Sequence, residues 1–146
     1  MIPAGQRPIP PEILSDSAIA HIAQAYFSIA KRLEQKTGCS ATRGFILSTL
    51  RGGAALNQNQ IAKLLGFDRT VVHRSIKGMI RKGLLTERKA DSGRALLVYL
   101  TAKGNKYREY LIKERRSADE KLRKVLKPDE ISILIQLLDA AAALEI

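Results

Sequence analysis

Apolar residues recur at helical spacing through most of this chain, and one short stretch breaks the rhythm. From about Asp16 to Lys36, Ile19, Ile22, Tyr26, Ile29 and Leu33 are spaced 3, 4, 3, 4. That is the narrow apolar seam of a helix that pairs with another helix. Gly38 ends it, and Ser40 is placed to cap a second helix reaching about Leu50, with Phe45, Leu47 and Leu50 facing inward. Asn57 with Gln60 three places on has the form of a capping box, opening a short helix over 58–65 that buries Ile61, Leu64 and Leu65. Gly66 stops it. Asp68 caps a helix of about 69–82, and Gly83 suits the position just past its end. Residues 84–89 and 95–100 read as two strands around Ala-Asp-Ser-Gly-Arg, a hairpin. Thr101 caps a long helix to about Val125, and Pro128 opens a last one to about Leu144. Residues 1–16 hold four of the five prolines and read as an extended arm.

The last helix sets a constraint on assembly. Ile131, Ile133, Leu134, Ile135, Leu137, Leu138 and the alanines at 140–143 make it apolar nearly all round. Such a helix has to be covered on more than one side. A 146-residue chain has little protein to spare for that, whereas a second copy could supply it. Leaving large aliphatic side chains exposed forfeits about 1.5–3 kcal/mol each. The expected seam of a homodimer therefore runs through Ile19, Ile22 and Tyr26 of the first helix and Leu134, Leu137 and Leu138 of the last.

Charge narrows the partner. The formal net charge is +11, distributed as +3 over residues 1–56, +6 over 57–100, +6 over 101–127 and −4 over 128–146. A basic middle and an acidic end imply a surface for a polyanion and a tail with another task. No apolar run reaches the roughly 20 residues of a membrane span, and no basic amphipathic helix carries bulky aromatics. A leader with a basic region and an apolar run is not evident at the start, and the lone Cys39 fits a reducing cytoplasm.

The segment 57–83 carries the functional expectation. A two-turn helix, a tight joint at Gly66-Phe67-Asp68 and a longer second helix form the helix-turn-helix pattern, whose second helix enters the major groove. On that helix Val72, Ile76 and Met79 make the core stripe. Thr70, His73, Arg74 and Lys77 lie on another face with Arg69 beside them, and no acid interrupts it after the cap. Arg74 is the expected base reader, since arginine pairs bidentately with guanine. Thr70 and Gln58, at helix N-termini, suit phosphates, and Lys77, Arg81 and Lys82 add phosphate charge. In the hairpin, Lys89 and Arg94 flank Asp91-Ser92-Gly93. A wing of this kind can put Arg94 into a minor groove, with Asp91 orienting it.

These stretches resemble the MarR family of bacterial and archaeal regulators. The resemblance rests on Leu56 to Gly66, Asp68 to Arg74, Lys82-Gly83-Leu84, Asp91 to Arg94, Val98 to Gly104 and Lys127 to Glu130. It implies a mainly α fold: one winged helix-turn-helix domain over 1–146, with dimerisation helices at 17–37 and 128–146, a DNA-binding lobe at 40–100, a linking helix at 101–127 and a two-stranded wing. It places base contacts on Thr70, His73 and Arg74 and a wing contact on Arg94. It implies a homodimeric repressor on a pseudo-palindromic double-stranded DNA site, with a small-molecule effector of unknown identity and no cofactor. The chain departs from the family pattern in a shorter wing tip, in Lys127 at the last N-cap and in Ser75 where leucine is common.

Catalysis lacks its parts. His21 and His73 fall in separate elements, and no HExxH, CxxC, P-loop or GxSxG spacing occurs. No catalytic or metal residues are expected, and Cys39, just before a helix, reads as a small packed side chain rather than a redox sensor. The rival class is a winged helix used for protein–protein contact. It predicts an apolar or acidic recognition face, which Arg69 to Lys77 contradict.

Overall fold

The computed structural model describes residues 16–53 and 55–146. The expected arm at 1–16 lies outside them except for Asp16. Among the described residues the order is α1 (Ala18–Thr37), α2 (Ala41–Thr49), a 3₁₀ turn (Arg51–Gly53), α3 (Gln58–Leu65), α4 (Arg69–Arg81), β1 (Leu85–Lys89), β2 (Leu96–Leu100), α5 (Ala102–Arg123) and α6 (Pro128–Ala142). This is the expected mainly helical architecture with one small hairpin.

Local chemistry explains most boundaries. Ser17 accepts from the Ala20 N–H at 3.1 Å and Ser40 from Arg43 at 3.3 Å, each satisfying an orphan donor of the first turn. At α3 the capping box is complete: Asn57 Oδ1 accepts from Gln60 N at 2.8 Å, and Gln60 Oε1 accepts from Asn57 N at 2.9 Å. Gly66 then turns the chain with φ at 65°, a left-handed conformation that glycine adopts without strain. At α6 the cap is half a box, because the Lys127 N–H donates to Glu130 at 2.6 Å but the lysine side chain has no acceptor to return.

One core holds α2 to β2 together. Ile46, Leu47, Leu50, Ile61, Val72, Ile76, Met79, Leu85 and Val98 are almost wholly buried. The stripe Val72, Ile76, Met79 is the expected one. Two expectations for the neighbouring helices are corrected. Phe45 is 44% exposed and Ile46 takes the interior place on α2. Leu64 is 67% exposed, and Ala62 faces the core of α3 beside Ile61. The face turned inward by a short helix is chosen by what packs on it, and α4 comes close enough to α3 for alanine to fill the gap.

β1 and β2 pair antiparallel from Leu85 opposite Leu100 to Lys89 opposite Leu96. Leu56 joins the hairpin through Val98, whose N–H donates to the Leu56 carbonyl at 2.8 Å. The hairpin is thus fastened to the residue just before α3. The start of α5 is fastened as tightly: Thr101 Oγ1 donates to the carbonyls of Gly83 and Leu84, and Lys103 Nζ donates to Lys82 O at 2.8 Å. Gly104 is required there, since a methyl group on it would run into the Leu84 carbonyl. These bonds fix the end of α4, the root of the hairpin and α5 as one rigid corner.

Neither α1 nor α6 buries a single residue within the protomer. What ties α1 to the rest is α5. Tyr107 Oη donates to Thr37 O at 3.1 Å, Tyr110 Oη to Lys36 O at 3.5 Å, and Lys36 pairs with Glu114 at 2.6 Å. The phenols satisfy carbonyls that the end of a helix leaves without partners.

Candidate nucleic-acid interface

α4 separates its two faces cleanly. While Val72, Ile76 and Met79 enter the core, Arg69, Thr70, His73, Arg74, Lys77 and Arg81 are all exposed. The structure therefore brings five of the expected site residues, Arg69, Thr70, His73, Arg74 and Lys77, together on one uncovered helix face. No carboxylate belongs to that face beyond the cap. Asp68 Oδ1 accepts from the N–H of Thr70 at 2.7 Å and of Val71 at 3.4 Å. Those backbone hydrogen bonds hold its carboxyl below the usual carboxylate range, so it stays ionised at the helix start.

Gln58, an expected DNA contact, is engaged inside the chain. Its side chain is held within the protein: Oε1 lies 2.8 Å from His73 Nδ1, and Nε2 donates to Glu87 Oε2 at 3.4 Å. It links α3, the exposed face of α4 and strand β1. With Nδ1 facing the Gln58 carbonyl, His73 donates there and keeps Nε2 for an outside partner.

Arg94 is exposed at the tip of the hairpin. The tip closes through Ala90 N donating to Ala95 O at 2.9 Å. Asp91 makes no ion pair with Arg94; among the described residues Lys36–Glu114 is the ion pair formed. The expected orienting contact is absent, and both side chains are exposed at the turn. Arg88, a cation that sequence reading passed over, stacks on Tyr99 with 5.2 Å from guanidinium carbon to ring centre. Opposite-strand pairing carries the signal: Thr86 faces Tyr99, so Arg88 is its diagonal neighbour.

Behind the interface, where α1, α2, α4 and α5 meet, lies a cleft of about 550 Å³. Met79, Leu84 and Cys39 form its apolar floor, and Arg43, Lys82, Lys103, Lys106, Tyr107 and Tyr110 surround it. Cys39 is 6% exposed and its Sγ donates to Ser40 O at 3.5 Å. Burial pushes its thiol up from the ordinary value, as it pushes Tyr107 up to about 12. That is a packed thiol rather than an activated one. Among the described residues no three His, Cys, Asp or Glu side chains gather to hold a metal, and no helix is long and apolar enough to cross a membrane.

Residues 38–95 match the sequence model of the MarR family. No curated protein sequence matches the chain. Solved structures do. A probable transcriptional regulator from Pseudomonas aeruginosa is 25% identical, with a TM-score of 0.78 over 88% of this chain and 98% of that one. The transcriptional repressor CouR, bound to a 23-mer DNA duplex, superposes with a TM-score of 0.81 at 19% identity over 92% of this chain and 98% of its own. BpsR of Bordetella bronchiseptica, whose DNA binding is regulated by 6-hydroxynicotinic acid, gives 0.79 at 20% identity over 90% and 96%. The last two are likenesses of fold.

Proposed function

We propose that this chain, which belongs to the MarR family of winged-helix transcription regulators, works as a homodimeric repressor on a pseudo-palindromic double-stranded DNA site. The observation that carries the DNA reading is the face of α4, a row of donors with cations and no carboxylate, presented to solvent by a rigid lobe. Within it Arg74 reads a base edge, Thr70 and His73 contact bases or phosphates beside it, and Arg69 and Lys77 add phosphate contacts. Arg94 reaches an adjacent minor groove from the hairpin, and Gln58 acts indirectly by holding His73. The fold likeness to CouR on its duplex supports the geometry.

Two-fold pairing through Ile19, Ile22 and Tyr26 of α1 with Leu134, Leu137 and Leu138 of α6 would cover both helices that the protomer leaves bare. Two such lobes present α4 to major grooves one helical turn apart or a multiple of it. The cleft behind α4 suits an organic anion with an apolar body: lysines 82, 103 and 106 meet the charge, and Met79 and Leu84 meet the body. Such an effector would release DNA by favouring a lobe spacing that misfits it. BpsR, regulated by a hydroxylated aromatic acid, supports this part.

Selection of bound sequences from random duplex DNA tests the reading as a whole. The expected result is an enriched site with inverted half-sites. Absence of enrichment, together with no retention on duplex DNA in dilute buffer, would sink it.

A further inference from the structure

Arg43, on the first turn of α2, lays its guanidinium across α4 at Gly78. A methyl group on Gly78 would stand 2.7 Å from Arg43 Nη2, so the guanidinium would have to move off that spot to admit it. The residue is half-buried, and its backbone N–H is bonded to Ser40. Among the described residues its guanidinium has no hydrogen-bond or ion-pair partner. A planar cation with five donors and no protein partner, set between open grooves, is available to an anion.

The guanidinium forms a ridge between two grooves. One is the basic cleft already described. The other, of about 380 Å³, is bounded by Arg43 and Thr42 of α2 and by Arg74, Ser75 and Val71 of α4. Its one acid, Glu34, makes no ion pair with either arginine. Arg74 belongs to the exposed face of α4, so this groove continues that face sideways onto α2.

We propose that Arg43, with the hydroxyls of Thr42 and Ser75, seats one backbone phosphate of the DNA duplex alongside α4, beside the base-reading Arg74. The inference rests on the DNA reading above. Guanidinium and hydroxyl donors are what phosphate oxygens take, and such contacts fix register without reading sequence. Gly78 keeps the seat open by putting no side chain where the guanidinium lies.

The test is DNA binding over a salt series, on a selected duplex and a random one, for the wild type, Arg43→Gln, Arg43→Lys and Gly78→Ala, with thermal melts as the folding control. Arg43→Gln should lose several-fold in affinity on both duplexes alike, and its slope of log K against log salt should be shallower by about 1.8, one phosphate for each chain of the dimer. Arg43→Lys should keep the slope. Gly78→Ala, whose methyl displaces the guanidinium while favouring the helix, should lose affinity with no fall in melting temperature. An unchanged slope for Arg43→Gln overturns the proposal. So does benzoate stabilising the wild type but not Arg43→Gln with the slope unchanged, which would give Arg43 to a free anion in the cleft. If the wild type itself shows no salt-dependent binding, the DNA reading fails instead.

Discussion

The Nδ1 of His73 lies 2.8 Å from the side-chain carbonyl of Gln58, fifteen residues earlier and on the other helix of the pair. The same carboxamide donates to Glu87 on β1. One side chain thereby orients an exposed imidazole and ties α4 to the hairpin. A residue expected at a phosphate is thus also a brace between α4 and β1.

Gln58→Leu removes both bonds at nearly constant size. Each is worth about 0.5–1.5 kcal/mol. Binding to a selected duplex should weaken by about 1 kcal/mol, roughly fivefold in Kd, and the salt slope should stay as it is, because no phosphate contact is lost. A slope reduced by one phosphate per chain would return Gln58 to direct contact.

Arg74→Ala and Arg94→Ala separate two kinds of readout. Loss of a bidentate base contact costs about 1–3 kcal/mol of discrimination, so Arg74→Ala should weaken specific binding more than binding to random DNA. Equal losses would make Arg74 a phosphate contact alone. Arg94→Ala should cost affinity chiefly where the flanks are A/T-rich. Gel-shift titrations on duplexes differing only in those flanks check it, and identical losses on both would remove the hairpin from the minor groove.

Asp68 supplies a pH dependence with a definite sign. Its carboxyl is held below its ordinary value by the Thr70 and Val71 N–H groups. A depressed folded-state value means the carboxylate stabilises the protein above the unfolded value, near pH 4. The benefit then falls away as pH drops through the lower folded value. Wild type should therefore exceed Asp68→Ala in stability at pH 7, and the gap should close as the solution is acidified below about pH 4. Urea melts at a series of pH values measure it. A gap that stays constant down to strong acid would mean the charge of Asp68 contributes nothing.

The order of elements was legible because each one announces its own ends. Asn57 with Gln60, Asp68, Thr101 and Pro128 mark starts by local hydrogen bonding, and Gly38, Gly66 and Gly83 mark stops by a left-handed turn. The stripe of α4 was legible too, since thirteen residues give the 3.6 period room to show. In α3, eight residues with apolar side chains at 61, 62, 64 and 65 leave the inward face undecided, and the packing of α4 settles it on Ile61 and Ala62. The exposed polar face of α4 could be found because polarity along one helix is local information. The bridge from Gln58 to Glu87 spans twenty-nine residues, and the approach of Arg43 to Gly78 spans thirty-five. No periodicity within one element encodes such contacts.

The proposed dimer turns on the helices that the single chain leaves bare. Tyr26 is 51% exposed on α1, and Leu137 and Leu138 are 63% and 42% exposed on α6. For a monomer, replacing an exposed leucine with aspartate is close to neutral, because the carboxylate stays in water. In a two-fold seam the same carboxylate would be taken out of water opposite aliphatic groups, at a cost that exceeds the roughly 1.5–3 kcal/mol contributed by the leucine it replaces. Leu138→Asp should thus shift the sedimenting species from about twice the 16.1 kDa chain mass toward the single chain. Binding to a palindromic duplex should fall far more than binding to a lone half-site, since only the former needs both lobes. A wild-type chain that sediments as a monomer at micromolar concentration, or a Leu138→Asp chain that binds the palindrome undiminished, would mean that α1 and α6 are covered by something other than a second copy.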